Sequence, residues 1–167
     1  MRNRVPALIA TLALLALSSC SGGELHKHSL DFLGGVITRN NVAIDEEIKA
    51  EGKGSLRISA PVSTVVELFE KRDVKAGDGK LVYSARLRTE DLKGKAYLEM
   101  LIFYPDGSKN FSRSLKSALS DTKEWTAEQV SFPLKKGLKP DAVKLNLVID
   151  GVGTVWVDDV KLLKAPL

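Results

Sequence analysis

The sequence predicts an all-β domain, an antiparallel sandwich or barrel, behind a short N-terminal export signal. From residue 30 onward, apolar and polar residues alternate with a period of two, which is typical of strands with one buried and one solvated face. Turns rich in glycine separate the alternating runs, and no run shows the 3.6-residue apolar stripe of a sustained helix. About eight or nine short strands joined by such turns indicate a sandwich or a barrel.

Residues 1–19 have the three parts of a secretory signal. Arg2 and Arg4 form the basic start, residues 5–17 are almost entirely apolar, and Ser18 and Ser19 are small. The apolar stretch is shorter than the ~20 residues that a membrane-spanning helix needs. The segment is therefore interpreted as a signal peptide that is removed, and a transmembrane anchor is the weaker interpretation.

Cys20 indicates which kind of signal this is. Residues 17–20 (Leu-Ser-Ser-Cys) resemble the bacterial lipobox, in which small residues precede a cysteine that carries lipid. Cys20 is the only cysteine in the chain, so an internal disulfide is excluded. The resemblance implies cleavage before Cys20 and a lipid anchor on its thiol, which makes the membrane a partner. It places the protein in the bacterial cell envelope, at the outer membrane where the host has one, because Ser21 rather than aspartate follows.

Composition divides the rest into a tether and one folded domain. Residues 20–29 are mostly small and polar and predict a flexible tether, while residues 30–167 are enough for a domain with its own core. The chain carries 25 basic and 21 acidic residues, a net charge of +4, and removal of Arg2 and Arg4 lowers the charge to +2. No long block of like charges is present, so nucleic-acid binding has no electrostatic basis.

The alternation places strands in order along residues 30–167. Leu56, Ile58 and Ala60 alternate with polar neighbours. Residues 96–104 are apolar on both faces except for Glu99, which predicts a central strand. Strands are predicted over residues 42–48, 56–60, 64–74, 83–88, 96–104, 110–117, 125–132, 143–150 and 154–163.

Turn signals fall between these strands. Residues 105–107 (Pro-Asp-Gly) predict a hairpin turn, and residues 151–153 (Gly-Val-Gly) predict another turn near the end of the chain. Residues 76–79 and 136–137 carry similar glycine signals. Residues 112–121 are the one segment where a helical turn is expected.

Three stretches resemble the galactose-binding-like superfamily of jelly-roll domains, which includes many carbohydrate-binding modules. They are residues 54–58 (GSLRI), 125–132 (WTAEQVSF) and 153–162 (GTVWVDDVKL), and the last is the most specific because it matches the closing strand of those modules. With the strand spacing, the resemblance spans about residues 30–164. It implies an antiparallel β-sandwich of the jelly-roll type, and a glycan, a protein or another cell-surface partner as the ligand.

Related modules often hold a structural calcium with an acidic residue of the closing strand, which makes Asp158 and Asp159 candidate ligands. Asp158 is expected on the same strand face as Trp156 and Val160, because side chains alternate along a strand. Further oxygen ligands for calcium would come from the early acidic residues Asp45, Glu46, Glu47 and Glu51. The alternative, a solvated acidic pair at a strand edge, stays open, so no cofactor is certain.

Aromatic and charged side chains are the other candidates for ligand binding. Most aromatic residues, including Trp125 and Trp156, alternate with aliphatic ones and are expected to pack in the core. Tyr104, beside the predicted hairpin, and Phe111 are the best candidates for exposed rings that stack on a sugar. A polar sheet face that could hold a sugar or an acidic partner is predicted from Arg57, Arg86, Arg88, Glu99 and Arg113. Its alternative is a plain solvated face.

Catalysis is not expected. Both histidines, His26 and His28, lie in the predicted tether, and Cys20 carries lipid, so a catalytic triad cannot be assembled in residues 30–167. Two histidines alone are also a weak metal site. The favoured function is a lipid-anchored envelope module that binds a glycan. The alternative is a non-catalytic protein-interaction or assembly accessory of the envelope.

Overall fold

A computed structural model describes residues 23–74, 78–135, 137 and 139–167. This part of the chain is mostly β-strand, which confirms the predicted all-β class. Among the described residues, no helix is long and apolar enough to cross a bilayer. The predicted signal peptide, the lipidated Cys20 and parts of the turns at 76–79 and 136–137 lie outside the described residues and stay predictions.

Eight strands and one short 3₁₀ helix follow one another along the described chain. The strands are β1 (Gly23–His28), β2 (Val42–Asp45), β3 (Ser55–Ala60), β4 (Thr64–Arg72), β5 (Gly79–Phe103), β6 (Lys109–Arg113), β7 (Leu119–Leu134) and β8 (Ala142–Ala165). The 3₁₀ helix spans Leu115–Ser117, inside the segment where the sequence predicts a helical turn.

Two long strands, β5 with 25 residues and β8 with 24, form the central ribbon of the molecule. They pair antiparallel over nearly their whole length, from Lys80 opposite Ala165 to Phe103 opposite Ala142. The other strands add to the two sides of this ribbon. Strands β6 and β7 pair with β5, strands β1, β3 and β4 pair with β8, and β2 pairs with β3. The core of the fold is therefore one ribbon with flanking strands on both sides.

The central ribbon bends back on itself. A straight strand of this length would span about 80 Å, whereas a domain of this size has a radius of gyration of about 15 Å. The most deeply buried side chains of β5 have odd numbers over residues 81–89 and even numbers over residues 92–102. The pairing with β8 shifts register at the same place, between Glu90 and Lys93. Each half of the ribbon therefore lies in a different layer.

The two layers form an antiparallel β-sandwich. Sheet I is built on residues 79–90 of β5 and 153–165 of β8, with most of β7 on one side and β1, β3 and β2 on the other. Sheet II is built on residues 96–103 of β5 and 142–150 of β8, with β6 and β4 as its edges. Apolar side chains from both sheets join in one core cluster, which confirms the predicted sandwich.

Glycines allow the ribbon to bend between its two halves. Gly94 and Gly151 have φ angles of 134° and 151°, which residues with a side chain rarely adopt. A Cβ atom on Gly94 would overlap the carbonyl oxygen of Asp150, and one on Gly151 would overlap that of Lys93. The two strands therefore touch backbone to backbone at the bend, and no larger residue fits there.

The bend corrects two predictions. Residues 151–153 are the middle of β8 rather than a turn between two strands, and the predicted strands at 83–88 and 96–104 are two halves of β5. A glycine in a strand can mark either a turn or a sharp bend, so the pattern alone does not distinguish them. The hairpin at residues 105–107 is confirmed, because Phe103 lies opposite Lys109 in the ladder.

The predicted flexible tether is wrong over residues 23–28, which form β1. This strand pairs with the end of β8, with Gly23 opposite Lys164. The imidazole of His28 stacks on the ring of Phe69, with ring centroids 3.4 Å apart. A short polar segment is ordered here because its backbone extends sheet I and one ring reaches the core. The folded domain therefore includes β1.

We expect Gly151→Ala to destabilise the fold by about 3 kcal/mol or more, because the methyl group overlaps a backbone carbonyl in addition to straining φ. Thermal unfolding followed by circular dichroism measures the effect. Gly107→Ala is the matched control, because Gly107 also has a positive φ, of 80°, but no atom lies within 4 Å of an added Cβ. Equal losses in the two variants would contradict the close contact at the bend.

The docking of β1 should depend on pH through His28. Burial, followed by the charges of His26 and Lys71, lowers the pKa of His28 from 6.5 to about 4. Docked β1 therefore keeps the neutral ring, whereas a detached strand becomes protonated near pH 6.5. Docking is strongest above that pH and weakens as the pH falls towards 4.

Hydrogen–deuterium exchange of the β1 amides measures this effect. After correction for intrinsic rates, we expect faster exchange at pH 4.5 than at pH 7. His28→Phe keeps a ring on Phe69 and should remove the difference. Unchanged protection of β1 in the wild-type chain at both pH values would show that His28 does not control the docking.

Candidate functional site

A ligand can reach side chains of several strands only on the outer surfaces of the two sheets. Face I, the outer surface of sheet I, carries Arg57, Arg86 and Arg88. Face II, the outer surface of sheet II, carries Glu99 and Arg113. The prediction that these five residues share one polar face is therefore wrong, because β5 passes from one layer to the other between them.

The two predicted aromatic candidates have different surroundings. Tyr104 is 7% exposed and belongs to the core cluster, so the prediction of an exposed ring beside the hairpin is wrong. Its backbone closes the turn through hydrogen bonds with Ser108 and Gly107, while the ring fills the core. Phe111 lies on β6 and is 60% exposed, as predicted. Of these two candidates, Phe111 is the one with an exposed ring.

Asp158 lies on face I beneath the connection between β2 and β3. Its Oδ2 accepts hydrogen bonds from the amides of Ala50 and Glu51 at 2.8 and 2.9 Å, and its Oδ1 accepts one from the amide of Asp159 at 2.7 Å. Three N–H donors satisfy this buried carboxylate without a metal. Asp158 therefore fastens a loop onto sheet I.

Asp159 interrupts the alternation of β8. Its φ is 51°, and the register between β5 and β8 shifts beside it, which marks a β-bulge. Trp156 and Asp158 lie on the same face, as predicted. The prediction that Val160 shares this face is wrong, because the bulge turns Val160 into the core, where it is fully buried.

Two lysines and one further carboxylate, that of Glu51, lie beside Asp159. Lys161 Nζ donates to its Oδ2 at 2.8 Å, and Lys27 Nζ lies 3.6 Å from its Oδ1. Burial would raise the pKa of Asp159, but the hydrogen bond and charge of Lys161, together with smaller contributions from Glu51 and Lys27, hold the pKa below its usual value. Within the described part of the chain, no group of three or more His, Cys, Asp or Glu side chains could hold a metal ion. The calcium interpretation of Asp158 and Asp159 therefore finds no ligand set in these residues.

A packed cluster around Trp156 closes one end of face I. Trp156 is 1% exposed, and its Nε1 donates to Asp45 Oδ2 at 2.8 Å. The guanidinium carbons of Arg57 and Arg88 lie 5.8 and 5.0 Å from the centre of its ring. Burial would raise the pKa of Asp45, but the hydrogen bonds from the Ile48 amide and from Trp156 lower it below its usual range. Trp156 packs, as predicted, and Arg88 is engaged in the same cluster.

The open part of face I contains a shallow cleft of about 400 Å³. Its lining includes Ser84, Arg86, Gln129 and Asp159. Arg86 is exposed, as a ligand-binding residue should be. None of the lining residues is aromatic, so the cleft has no ring on which a sugar could stack.

Four polar side chains form a row across face II, one from each strand. In register, the row consists of Glu67 on β4, Asn146 on β8, Glu99 on β5 and Arg113 on β6. Glu99 accepts hydrogen bonds from Asn146 Nδ2 at 3.1 Å and from Arg113 Nε at 2.6 Å. Asn146 is 2% exposed, and its Oδ1 has no hydrogen-bond partner. Because an unpaired buried carbonyl costs about 1–3 kcal/mol, a ligand donor would be stabilised at this atom.

Ion pairs compensate the charges of face II. Lys144 Nζ lies 3.1 Å from Glu67 Oε2 and 3.8 Å from Glu70 Oε2. The hydrogen bond from Arg113 to Glu99 raises the pKa of Arg113 above its ordinary value. Each carboxylate of the row therefore has a cation beside it, and face II favours a polar ligand with no net charge.

Apolar side chains flank the row on both sides. Towards the bend, Val65, Tyr97 and Val148 lie opposite one another on three strands and line a cleft of about 360 Å³. On the other side lies the exposed ring of Phe111, and the guanidinium carbon of Arg113 is 4.7 Å from its centre. Hydrogen-bonding groups between apolar patches match a sugar, whose hydroxyls lie at the ring edge and whose C–H groups form its faces.

Sequence reasoning identified Glu99 and Phe111 but missed Glu67, Tyr97 and Asn146. A lone carboxylate in an apolar central strand does signal a buried polar partner, since an unpaired buried charge is costly. The sequence prediction noted Glu99 as the one charged residue of that strand but placed it on a polar face with four arginines. It could not name Asn146, because cross-strand neighbours depend on the register, which the sequence of one strand does not give.

Comparisons with known proteins agree on the fold. No model of a known protein family matches the chain, and no curated protein matches it either. The CBM22-1 xylan-binding domain from Paenibacillus barcinonensis Xyn10C has a TM-score of 0.62 at 17% identity, over 90% of this chain and 99% of that one. A xylan-binding domain from CBM 22 has a TM-score of 0.61 at 9% identity, over 87% and 97%. A family 16 carbohydrate-binding module has a TM-score of 0.55 at 13% identity, and the match covers 74% of this chain and 86% of that module.

Identities this low show a shared fold and nothing finer. They confirm the predicted jelly-roll type of β-sandwich and the predicted likeness to carbohydrate-binding modules.

Proposed function

We propose that this protein is a lipid-anchored module of the bacterial cell envelope that binds a glycan on face II. The row of Glu67, Asn146, Glu99 and Arg113 carries the proposal, because it holds a buried, unpartnered amide oxygen between two apolar patches. The alternative of a protein-interaction accessory stays a prediction.

Hydrogen bonding in the row suits sugar hydroxyls. A sugar hydroxyl can donate to an amide oxygen such as Asn146 Oδ1 or accept from a guanidinium N–H group of Arg113. Because Asn146 Oδ1 is buried, a ligand reaches it only when the side chains around it move. The Arg113 side chain is 40% exposed and lies over Glu99, which is 7% exposed, so a ligand that moves Arg113 also gains access to a strong acceptor. Phe111 and Tyr97 then lie on either side of the bound ring.

Two solved structures of similar fold are xylan-binding domains, and conserved residues in the cleft of a third, a family 22 carbohydrate-binding module, have a role in ligand binding. We extend to this chain only the class of ligand, a polysaccharide. A non-catalytic role accords with the residues of face II, where both carboxylates of the row are held by cations. The lipid anchor rests on residues 17–20 of the sequence.

Replacement of Glu99 should weaken glycan binding at least about tenfold, the effect of losing roughly 1.4 kcal/mol from a charge-assisted hydrogen bond. Isothermal titration of Glu99→Gln and of the wild-type protein with xylan measures the change. Glu128→Gln is the matched control, because Glu99 and Glu128 are each 5% exposed as whole residues, but the Glu128 carboxylate accepts from Ser117 at 2.6 Å, away from face II.

A second pair of variants tests the ring. Phe111→Ala should also weaken binding, whereas Phe32→Ala should not, although the two rings are 60% and 61% exposed. Equal effects within either pair would remove face II as the site. If the wild-type protein bound no polysaccharide at millimolar concentration, the glycan proposal would be wrong.

The lipid anchor is tested separately at Cys20. Cys20→Ser should abolish labelling by radioactive fatty acid and block cleavage before residue 20, because the modified thiol is required for processing. The unmodified protein serves as the control in the same cells. Normal cleavage and membrane fractionation of Cys20→Ser would overturn the lipoprotein assignment.

A further inference from the structure

We infer that β1 holds one end of the sandwich directly against the lipid bilayer, so that the domain stands on the membrane with its glycine bend pointing away. This inference rests on the proposed lipidation of Cys20. The end in question, here called the open end, lies opposite the bend. It contains the start of β5, the end of β8 and the hairpin at residues 104–108.

The chain enters the fold at the open end. Gly23, the first residue of β1, lies opposite Lys164, and Lys80 lies opposite Ala165 in the neighbouring pair of strands. From Gly23 the strand runs towards the middle of sheet I. Gly23 therefore lies one rung from the end of sheet I.

Both sheets contribute to this end. The amide of Asp73 donates to the carbonyl of Asp141 at 3.0 Å, and the amide of Asp141 donates to the carbonyl of Phe103 at 2.8 Å. These two hydrogen bonds join the end of β4, the start of β8 and the end of β5 in sheet II. Only residues 73–78 separate β4 of sheet II from β5 of sheet I. Because so short a connection spans at most about 25 Å, the ends of the two sheets are neighbours and form one surface.

The distance from the lipid to β1 is short. Residues 21 and 22 are all that separate Cys20 from Gly23, and three residue steps reach at most about 11 Å. A lipidated cysteine lies at the level of the headgroups, so Gly23 stays within that distance of them. The bend lies farther away by the length of about 11 strand residues, or roughly 36 Å.

The charges at the open end are mixed. Five lysines and four aspartates of the described residues lie there, namely Lys80, Lys109, Lys135, Lys139, Lys164, Asp73, Asp78, Asp106 and Asp141. Because the lysines exceed the aspartates by only one, electrostatic attraction to anionic lipid is weak, and the anchor and the docked strand hold the contact. The contact should therefore persist in high salt, where a purely electrostatic one would be screened.

This orientation limits which glycans the module can reach. Face II runs from the open end, near Phe111, to the bend, near Tyr97, so this face stands upright on the membrane. The polar row crosses the strands and therefore runs parallel to the bilayer surface. A ligand has to come within about one domain length, roughly 40 Å, of the bilayer surface.

Fluorescence quenching in vesicles tests the orientation. The lipid occupies the thiol of Cys20, so Asp106→Cys or Lys93→Cys supplies the one reactive thiol of the full lipidated chain for a fluorophore. Both positions are exposed, one at the open end and one at the bend. In phosphatidylethanolamine–phosphatidylglycerol vesicles with a spin-labelled headgroup, we expect at least threefold stronger quenching at residue 106. The difference should remain in 1 M salt.

Insertion of a 20-residue Gly-Ser linker between residues 22 and 23 is the control, and it should reduce the difference between the probes. Equal quenching of the two probes, or stronger quenching at residue 93, in protein that sediments with the vesicles would overturn the orientation and leave the anchor intact. Protein that does not sediment at all would overturn the anchor and, with it, this inference. Glycan binding on face II is measured independently of both outcomes.

Discussion

A contact between two bare backbones makes this fold possible. At the bend of the central ribbon, Gly94 lies against the carbonyl of Asp150 and Gly151 against that of Lys93, at a separation that excludes a Cβ atom. Without the bend, the ribbon would continue straight. The apolar faces of its two halves would then lie far apart and could not pack against each other. With the bend, side chains from both halves of β5 join one core cluster. The burial of that core is the main stabilising contribution to a domain of this size, and it depends on the absence of two side chains.

The same bend sorts the charged residues of β5 onto opposite faces, and the two faces differ in how their polar groups are satisfied. On face I, loops and arginines cover Trp156 and Asp158, and the buried carboxylate has three backbone donors. On face II, Asn146 is as deeply buried but keeps an oxygen without a partner. A satisfied buried group stabilises a fold, whereas an unsatisfied one is a cost that a ligand can remove. This contrast, rather than cleft volume, makes face II the better binding surface, because the cleft on face I is slightly larger.

The sequence correctly predicts the features that depend on residues close together along the chain. The all-β class, the hairpin at 105–107 and the exposure of Phe111 follow from alternation and turn chemistry, and the structure confirms them. The predictions that failed concern residues whose burial or pairing is decided by contacts with distant parts of the sequence. Tyr104 follows a strand and precedes a turn, but the core has room for its ring. The bulge at Asp159 changes the face of Val160. Residues 23–28 have the composition of a tether, yet the free edge of β8 orders them, because strand pairing requires only a backbone.

The order of β1 changes what a lipid anchor can do for the domain. A free chain of nine residues would let the domain move over roughly 16 Å or more and rotate in all directions. With β1 docked, about three residues remain and one end of the sandwich faces the lipid. The docking depends on one ladder with β8, on the stack of His28 on Phe69, on Leu25 at the edge of the core, and on the ion pairs of Lys27 with Glu51 and Asp159. Burial keeps the pKa of His28 at about 4, so protonation of its imidazole destabilises the stack on Phe69. The segment that a composition rule assigns to a passive linker is thus the one that sets both the reach and the orientation of the binding face.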